Sequence, residues 1–363
     1  MRGFVMNYSN KLKERDSSLD IIRIVAFISV ISVHFFLNNG FYNQLVTGER
    51  MYVMVLIRSF FMDCVPLFIM LTGYLMNKKK LTSSYYYGII KTIIVYILSS
   101  IACLLYASLS APVTIREAII KILRFEGAPY SWYIEMYLGL FLIIPFLNIV
   151  YHGLTNKKQK QILLITMIVV TSLPNIINIK FKILPTWWNH MYPITYYFIG
   201  AYLSEYRPKI KNRYLILLLF VHIFLIGSLN YALSFDNTFI WGAWSDFSSV
   251  FNAITTILVF MIIKNISTEN WKPGVKSATK YISDLTLSAY LVSWIFDQMF
   301  YPILMEKIPK MVLRLEYICI MIIAVTICSL LLSCIVTFLS GVLTRLVKNS
   351  LNRLLHCKNE NDI

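Results

Sequence analysis

The stretch SSLDIIRIVAFISVISVHFFLNNG (17–40) decides how the rest of the chain is read. It is apolar over about twenty residues, the length of one helical crossing of a bilayer. It also carries Arg23 near its start and His34 near its end. An ionisable side chain at membrane depth costs at least a few kcal/mol, so it marks a functional site by default. Eleven positions at about 100° each come within roughly 20° of three full turns, so Arg23 and His34 share a face. Their separation along the axis is about 16 Å, roughly half the hydrocarbon thickness.

The chain around this stretch has the same character. Of 363 residues, 58% are hydrophobic and 14% charged, and the mean hydropathy is +0.64. A soluble domain would carry about a quarter charged residues, so the composition predicts an integral membrane protein. The first apolar run is too long for a cleavable secretion signal and lacks a small-residue cleavage site. The formal charge of +16 sits in short loops between apolar runs, a pattern of membrane topology rather than of nucleic-acid binding. Cys64, Cys103, Cys319, Cys328, Cys334 and Cys357 form no CxxC pair. They read as small apolar fillers rather than a zinc or disulfide framework, and no metal site is expected.

Apolar runs fall at 18–38, 51–76, 85–109, 130–151, 161–177, 191–205, 213–233, 246–263, 281–301 and 314–344. The fold expected is all-α, with about ten transmembrane helices. The fifth and sixth runs are short and so are expected to be tilted, broken or sheltered. One set of loops and ends holds 22 Lys or Arg, the opposite set eight. The positive-inside rule then puts both termini in the cytoplasm. Among the opposite loops, "TIREAIIKILRFEG" (114–127) opens with a capping box, Thr114 and Glu117, and then lays Ile115, Ala118, Ile119, Ile122 and Leu123 along one stripe. That pattern predicts an amphipathic helix on the outer membrane surface. Trp187, Trp188, Trp241 and Trp244 sit in other outer loops, as belt anchors or as a platform for a sugar ring.

Other ionisable residues join Arg23 and His34 in the apolar zone. Arg58 and Asp63 lie in the second run, and Glu135 lies near the outer end of the fourth. A carboxylate beside a histidine fixes its tautomer and stabilises the imidazolium, the arrangement of a general base. Glu135 and Asp63 are the two candidates for that partner. Taken alone, Arg23 reads as a snorkelling or Asp20-paired residue and His34 as a polar residue satisfied between helices. Their shared face favours a functional pair. P-loop, GxGxxG, HExxH and GxSxG signatures are absent, which argues against a nucleotide hydrolase or an appended hydrolase domain.

"SLDIIRIVAFISVISVH" (18–34) resembles the first-span pattern of the acyltransferase-3 family of bacterial membrane acyltransferases: Leu-Asp, Arg, ten residues, His. "VPLFIMLTGYLM" (65–76) and "SWYIEMYLGLFLIIPFLN" (131–148) resemble the family's second and fourth spans. "YYFIGAYL" (196–203) and "LSAYLVS" (287–293) resemble later spans more loosely. The sequence departs from the family at three places. Thr72 stands for a usual Ser, lysines 78, 79, 80 and 91 stand where arginines are common, and Ser293 takes a histidine position.

The resemblance implies transfer of an acyl group, usually acetyl, from cytoplasmic acyl-CoA to a hydroxyl of an extracytoplasmic or lipid-linked polysaccharide. It implies a cytoplasmic segment 1–17, a transmembrane acyltransferase domain 18–344 and a cytoplasmic tail 345–363, in a bacterial cell membrane. His34 carries over as the catalytic residue, with Glu135 or Asp63 in support. Arg23, Lys79 and Lys91 are the expected donor contacts, and Trp132, Tyr133 and Trp188 the acceptor contacts. Acyl-CoA is then a substrate, and no permanently bound cofactor is expected. The expected partners are the glycan acceptor, membrane lipid and other polysaccharide-assembly proteins, with no nucleic acid. A polysaccharide exporter using the polar interior, and a non-catalytic assembly scaffold, are the competing readings.

Overall fold

The computed structural model describes residues 15–178, 181–242 and 244–360, with side chains through residue 350. Arg2, Lys11, Lys13 and Lys180, and the side chain of Cys357, lie outside the described residues. Within them the chain is helical, with no strand and two isolated β-bridges, Leu45 with Thr238 and Val46 with Phe235.

The longer helices are α1 (Ser17–Asn38), α2 (Gly48–Phe61), α3 (Cys64–Met76), α4 (Ile90–Ala107), α5 (Ile115–Leu123) and α6 (Trp132–Gly153). They continue with α7 (Lys157–Thr171), α8 (Tyr192–Tyr206), α9 (Asn212–Ser234), α10 (Val250–Lys264), α11 (Pro273–Lys307) and α12 (Ile318–Glu360). Six described segments are long and apolar enough to cross a membrane: Ser17–Asn43, Gly48–Met76, Ser83–Ala107, Trp132–Gly153, Asn212–Ser234 and Met311–Ser350. The helices α7, α8 and α10 have 15 residues each. The fifth apolar run is broken, because α7 stops at Thr171 and a separate turn runs from Pro174 to Ile177. The chain is a multi-pass helical membrane protein.

The α1 helix starts on an Asp16 cap that accepts from the Ser18 N–H, and Asp20 lies in its first turn, where a carboxylate suits the helix dipole. It ends where Gly40 takes a left-handed φ of +83°, a conformation that costs glycine little. Between those ends α1 packs against α2, α3, α10, α11 and α12. Most of α1, His34 included, therefore faces protein rather than lipid.

Prolines interrupt the backbone ladder of α3, α6 and α11 at Pro66, Pro145 and Pro302, and the carbonyls freed by the first two are bonded from elsewhere. Pro66 cannot donate to the Met62 carbonyl, and the Asn252 side chain donates to that oxygen at 2.8 Å. Pro145 likewise leaves the Phe141 carbonyl free, and the Tyr85 hydroxyl donates to it at 2.6 Å. In a medium without water such replacement is required. It also explains why the second apolar run forms two helices, α2 and α3, with Met62 and Asp63 at the break.

The α3 and α8 helices meet backbone to backbone. A Cβ at Gly73 would lie 2.0 Å from the Tyr197 carbonyl oxygen, and one at Gly200 2.0 Å from the Met70 oxygen. Glycine permits this approach, as small residues do in membrane helix pairs. Gly200→Ala is expected to destabilise the protein by about 1–3 kcal/mol, the cost typical of overpacking. The check is a lower melting temperature in detergent. Gly139→Ala, with nothing within 4 Å of the added atom, is expected to leave it unchanged.

The expected amphipathic segment forms α5. Its capping box is complete, with Thr114 and Glu117 bonded reciprocally, and these bonds hold the Glu117 carboxyl below its usual range. Ile115, Ile119 and Leu123 are all exposed, while Ile122 packs against the core.

Candidate active site

His34 lies four turns along α1 and retains 8% exposure. Its Nδ1 faces the Asp297 carboxylate of α11 at 3.6 Å. No other described carboxylate comes within 4 Å of it. The same Asp297 oxygen accepts a hydrogen bond from the Tyr130 hydroxyl at 2.7 Å. The Tyr130 ring lies against the imidazole with centroids 3.8 Å apart.

The supports of this cluster are local. Asn38, one turn beyond His34, donates to the His34 carbonyl at 2.9 Å and to the Tyr130 hydroxyl at 3.1 Å. The Tyr290 hydroxyl donates to the Tyr130 carbonyl. The turn bearing Tyr130 presses on α4, since a Cβ at Gly127 would lie 2.7 Å from the Ser100 Cβ. The His34 Nδ1, the second Asp297 oxygen and the Tyr301 hydroxyl are buried with no hydrogen-bond partner. Such groups are uncommon in a structural core.

The seam between α1 and α11 extends this arrangement along the bundle. Arg23 donates to the Ser283 hydroxyl at 2.7 Å, and His34 meets Asp297. The two helices thus run parallel, and Ser283, Tyr290 and Asp297 recur every seven residues on the face of α11 turned to α1. Two turns of helix bring side chains back to nearly the same side.

A cavity of about 200 Å³ lies between those contacts, lined by Arg23 and Thr72 at one side and by Val30, Tyr133 and Tyr290 at another. Val30 precedes His34 by one turn, about 6 Å. Tyr290, which lines this cavity, has its ring centroid 6.3 Å from that of His34. Past Arg23 the space continues into a cavity of about 550 Å³ that shares Arg23, Leu75, Thr286 and Leu287. Arg23 borders both. Asp20 lies 3.4 Å from Arg23 but is bonded at 2.9 Å by Arg15, so the pairing of Arg23 with Asp20 is the weaker of the two.

Other residues named from sequence fall in different places. Glu135 is exposed, and it does not reach His34. Asp63 is fully buried at the break after α2, with neither carboxylate oxygen hydrogen-bonded. It pairs neither with His34 nor with Arg58. The Arg58 guanidinium is stacked instead, 4.3 Å from the Phe239 ring and 4.4 Å from that of Trp241, and it donates to the Tyr42 hydroxyl at 2.7 Å. Lys79 and Lys91 are exposed and line neither cavity. Tyr133 lines the inner cavity. Trp132 stacks on Phe247 with centroids 5.8 Å apart, and Trp188 is half exposed in a loop. His222 Nε2 donates to the Phe251 carbonyl, 2.9 Å away, and so is occupied structurally.

Asp297 and Tyr130 were not anticipated from sequence. Asp297 had a signal, because "SWIFDQMF" (293–300) puts a carboxylate inside an apolar run, the same criterion that singled out Asp63. Tyr130 had none, being one of 24 tyrosines.

These features define a polytopic helical membrane protein whose polar interior is organised around one histidine and a cavity leading to it. A family model described as an acyltransferase domain matches residues 16–334. The chain belongs to the acyltransferase-3 family, and is a membrane acyltransferase. Comparison with curated proteins and with solved structures gave no match.

Proposed function

We propose that the protein moves an acyl group, acetyl by preference, from cytoplasmic acyl-CoA to a hydroxyl of an extracytoplasmic or lipid-linked polysaccharide. The observation that carries this reading is the cavity bordered by Arg23 that ends one turn from His34, with Asp297 behind the imidazole. The proposal includes ten crossings over residues 18–344, both ends of the chain in the cytoplasm, and residence in a bacterial cell membrane. Helix α5 then lies on the outer surface, its exposed isoleucines and leucine in lipid.

In this scheme Asp297 holds the His34 Nδ1 proton, which leaves Nε2 as the base. Nε2 takes the proton of the acceptor hydroxyl as its oxygen attacks the thioester carbonyl. The new C–O bond forms, the C–S bond breaks, and the thiolate leaves with the proton from the imidazolium. The products are the glycan ester and CoA thiol. Arg23 holds the donor on the way in, and Tyr290 lines the end of the path toward His34. Tyr133 and Trp132 remain the proposed acceptor contacts, and Trp188 an outer one.

Labelled acetyl-CoA supplied to membranes containing the protein tests the reading. Label is expected in the surface glycan, and none in membranes lacking the protein. Glycan flux into vesicles without label transfer would replace the enzyme reading by an exporter. Label retained on the purified protein without acceptor, and lost on adding it, would assign an acyl-histidine intermediate instead of direct attack.

A further inference from the structure

The structure holds a third cavity, of about 1060 Å³, where the 207–212 and 264–269 loops meet the start of α1. It adjoins the 550 Å³ cavity through Arg15 and Asp16, which line both. None of its other lining residues was singled out by sequence for binding.

The wall formed by RPKIK (207–211) follows from local chemistry. A proline disfavours helix at the residue before it, and Arg207 is accordingly extended, at φ −59° and ψ 124°. Lys211 is extended as well, at ψ 139°. Arg207, Lys209 and Lys211 all line the cleft, together with Ile210 and Asn212.

These cations differ in what they already do. Arg207 donates to the Lys264 carbonyl at 3.0 Å. Lys264 pairs with Asp16. Burial opposes ionisation of Asp16, but hydrogen bonds from Lys264 and Ser18 outweigh it and hold that carboxyl below its usual range. Lys209 and Lys211 are exposed and have no side-chain partner among the described residues. Ile210 and Ile266 add partly exposed apolar surface to the same cleft. The cleft therefore offers a cationic rail with two unspent ammonium groups, beside a patch that a flat apolar ring can cover.

We infer that this cleft binds the phosphorylated nucleotide end of the thioester donor, while the donor's arm passes Arg23 into the 200 Å³ cavity. Ser17, next to the Asp16 cap, to Val30 spans thirteen residues of α1, about 20 Å. A ligand touching both ends must be a polyanion at one end and a thin chain at the other. The inference rests on the proposed acyl transfer, and it moves the donor contacts from Lys79 and Lys91 to Lys209 and Lys211.

The test compares acetyl-CoA with acetyl-pantetheine, which keeps the thioester and the arm but lacks the nucleotide. The protein is used in neutral-lipid nanodiscs, as wild type and as the Lys209→Gln, Lys211→Gln double variant. The variant is expected to raise KM for acetyl-CoA roughly three- to thirty-fold, the range for two exposed ion pairs, with kcat unchanged and acetyl-pantetheine unaffected. In the same samples 3′-phosphoadenosine 5′-phosphate is expected to bind wild type more tightly than the variant, measured directly and without turnover. Equal effects on both donors, or no effect on either, would overturn the inference. Nucleotide binding lost when anionic lipid is added, in wild type and variant alike, would reassign the cleft to lipid headgroups. Nucleotide binding without any acetyl transfer would leave the cleft standing and remove the acyltransferase reading. Transfer that is indifferent to the nucleotide would do the reverse.

Discussion

His34→Ala is expected to lower acyl transfer by about 10²–10⁴-fold, the range for loss of a positioned general base. The loss is expected in kcat, with KM for acyl-CoA little changed, because His34 lines none of the cavities proposed for the donor. Radiolabel transferred from acetyl-CoA to glycan, at equal amounts of folded protein, gives the measurement. His34→Gln keeps much of the volume and a polar edge, so it separates the chemical loss from a packing defect. If both variants transfer at the wild-type rate, His34 is not the base. Asp297 acts through His34 and is a positioning residue. Asp297→Asn is expected to lower kcat by a smaller factor, about 10–10². Asp297→Glu is expected to restore part of it, since a carboxylate again faces Nδ1. A structural role alone would not produce rescue confined to kcat.

Arg23→Gln is expected to raise KM for acyl-CoA by about 10- to 150-fold, corresponding to one charged hydrogen bond of about 1.5–3 kcal/mol. The guanidinium borders both the 200 and the 550 Å³ cavities, so its removal affects a donor that has to pass between them. The Ser283 bond at 2.7 Å is also lost, and Ser283→Ala measures that share separately. A fall in kcat with unchanged KM in Arg23→Gln would mean that Arg23 supports the chemistry rather than the donor. Steady-state kinetics at varied acyl-CoA distinguishes the two outcomes.

Much of this was legible in the sequence, and the reasons are physical. Helix periodicity alone places Arg23 and His34 on one face, and the fold keeps that face inside the bundle. The capping box at Thr114 and Glu117 is a local interaction, so the local sequence sufficed for α5. Partners across helices were another matter. The His34–Asp297 pair joins residues far apart in the chain, and no spacing within one helix encodes which carboxylate a bundle brings near. Depth in the membrane suggested Glu135, but depth fixes only one coordinate, and rotation of α6 turns Glu135 outward. Lysines after the second span drew attention by type, whereas the RPKIK loop read only as topology-setting charge. Its cations line one cleft with the start of α1 and the 264–269 loop, a juxtaposition across the bundle that no local pattern encodes.

The borrowed hydrogen bonds at the prolines have a consequence for how the chain is made. The Met62 carbonyl is bonded by Asn252, 190 residues later in sequence. At a synthesis rate of about 5–20 residues per second, roughly 10–40 s pass before that donor exists. During this interval the second crossing holds an open carbonyl, a buried aspartate and a break in its helix, none of which lipid alone can accommodate. The nascent chain must therefore keep this segment near water or insertion machinery until α10 arrives. Pro145 imposes no such delay, because Tyr85, its helper, has already been synthesised. Pro145 thus belongs to an early step that closes on itself, and Pro66 to a late one that waits for α10.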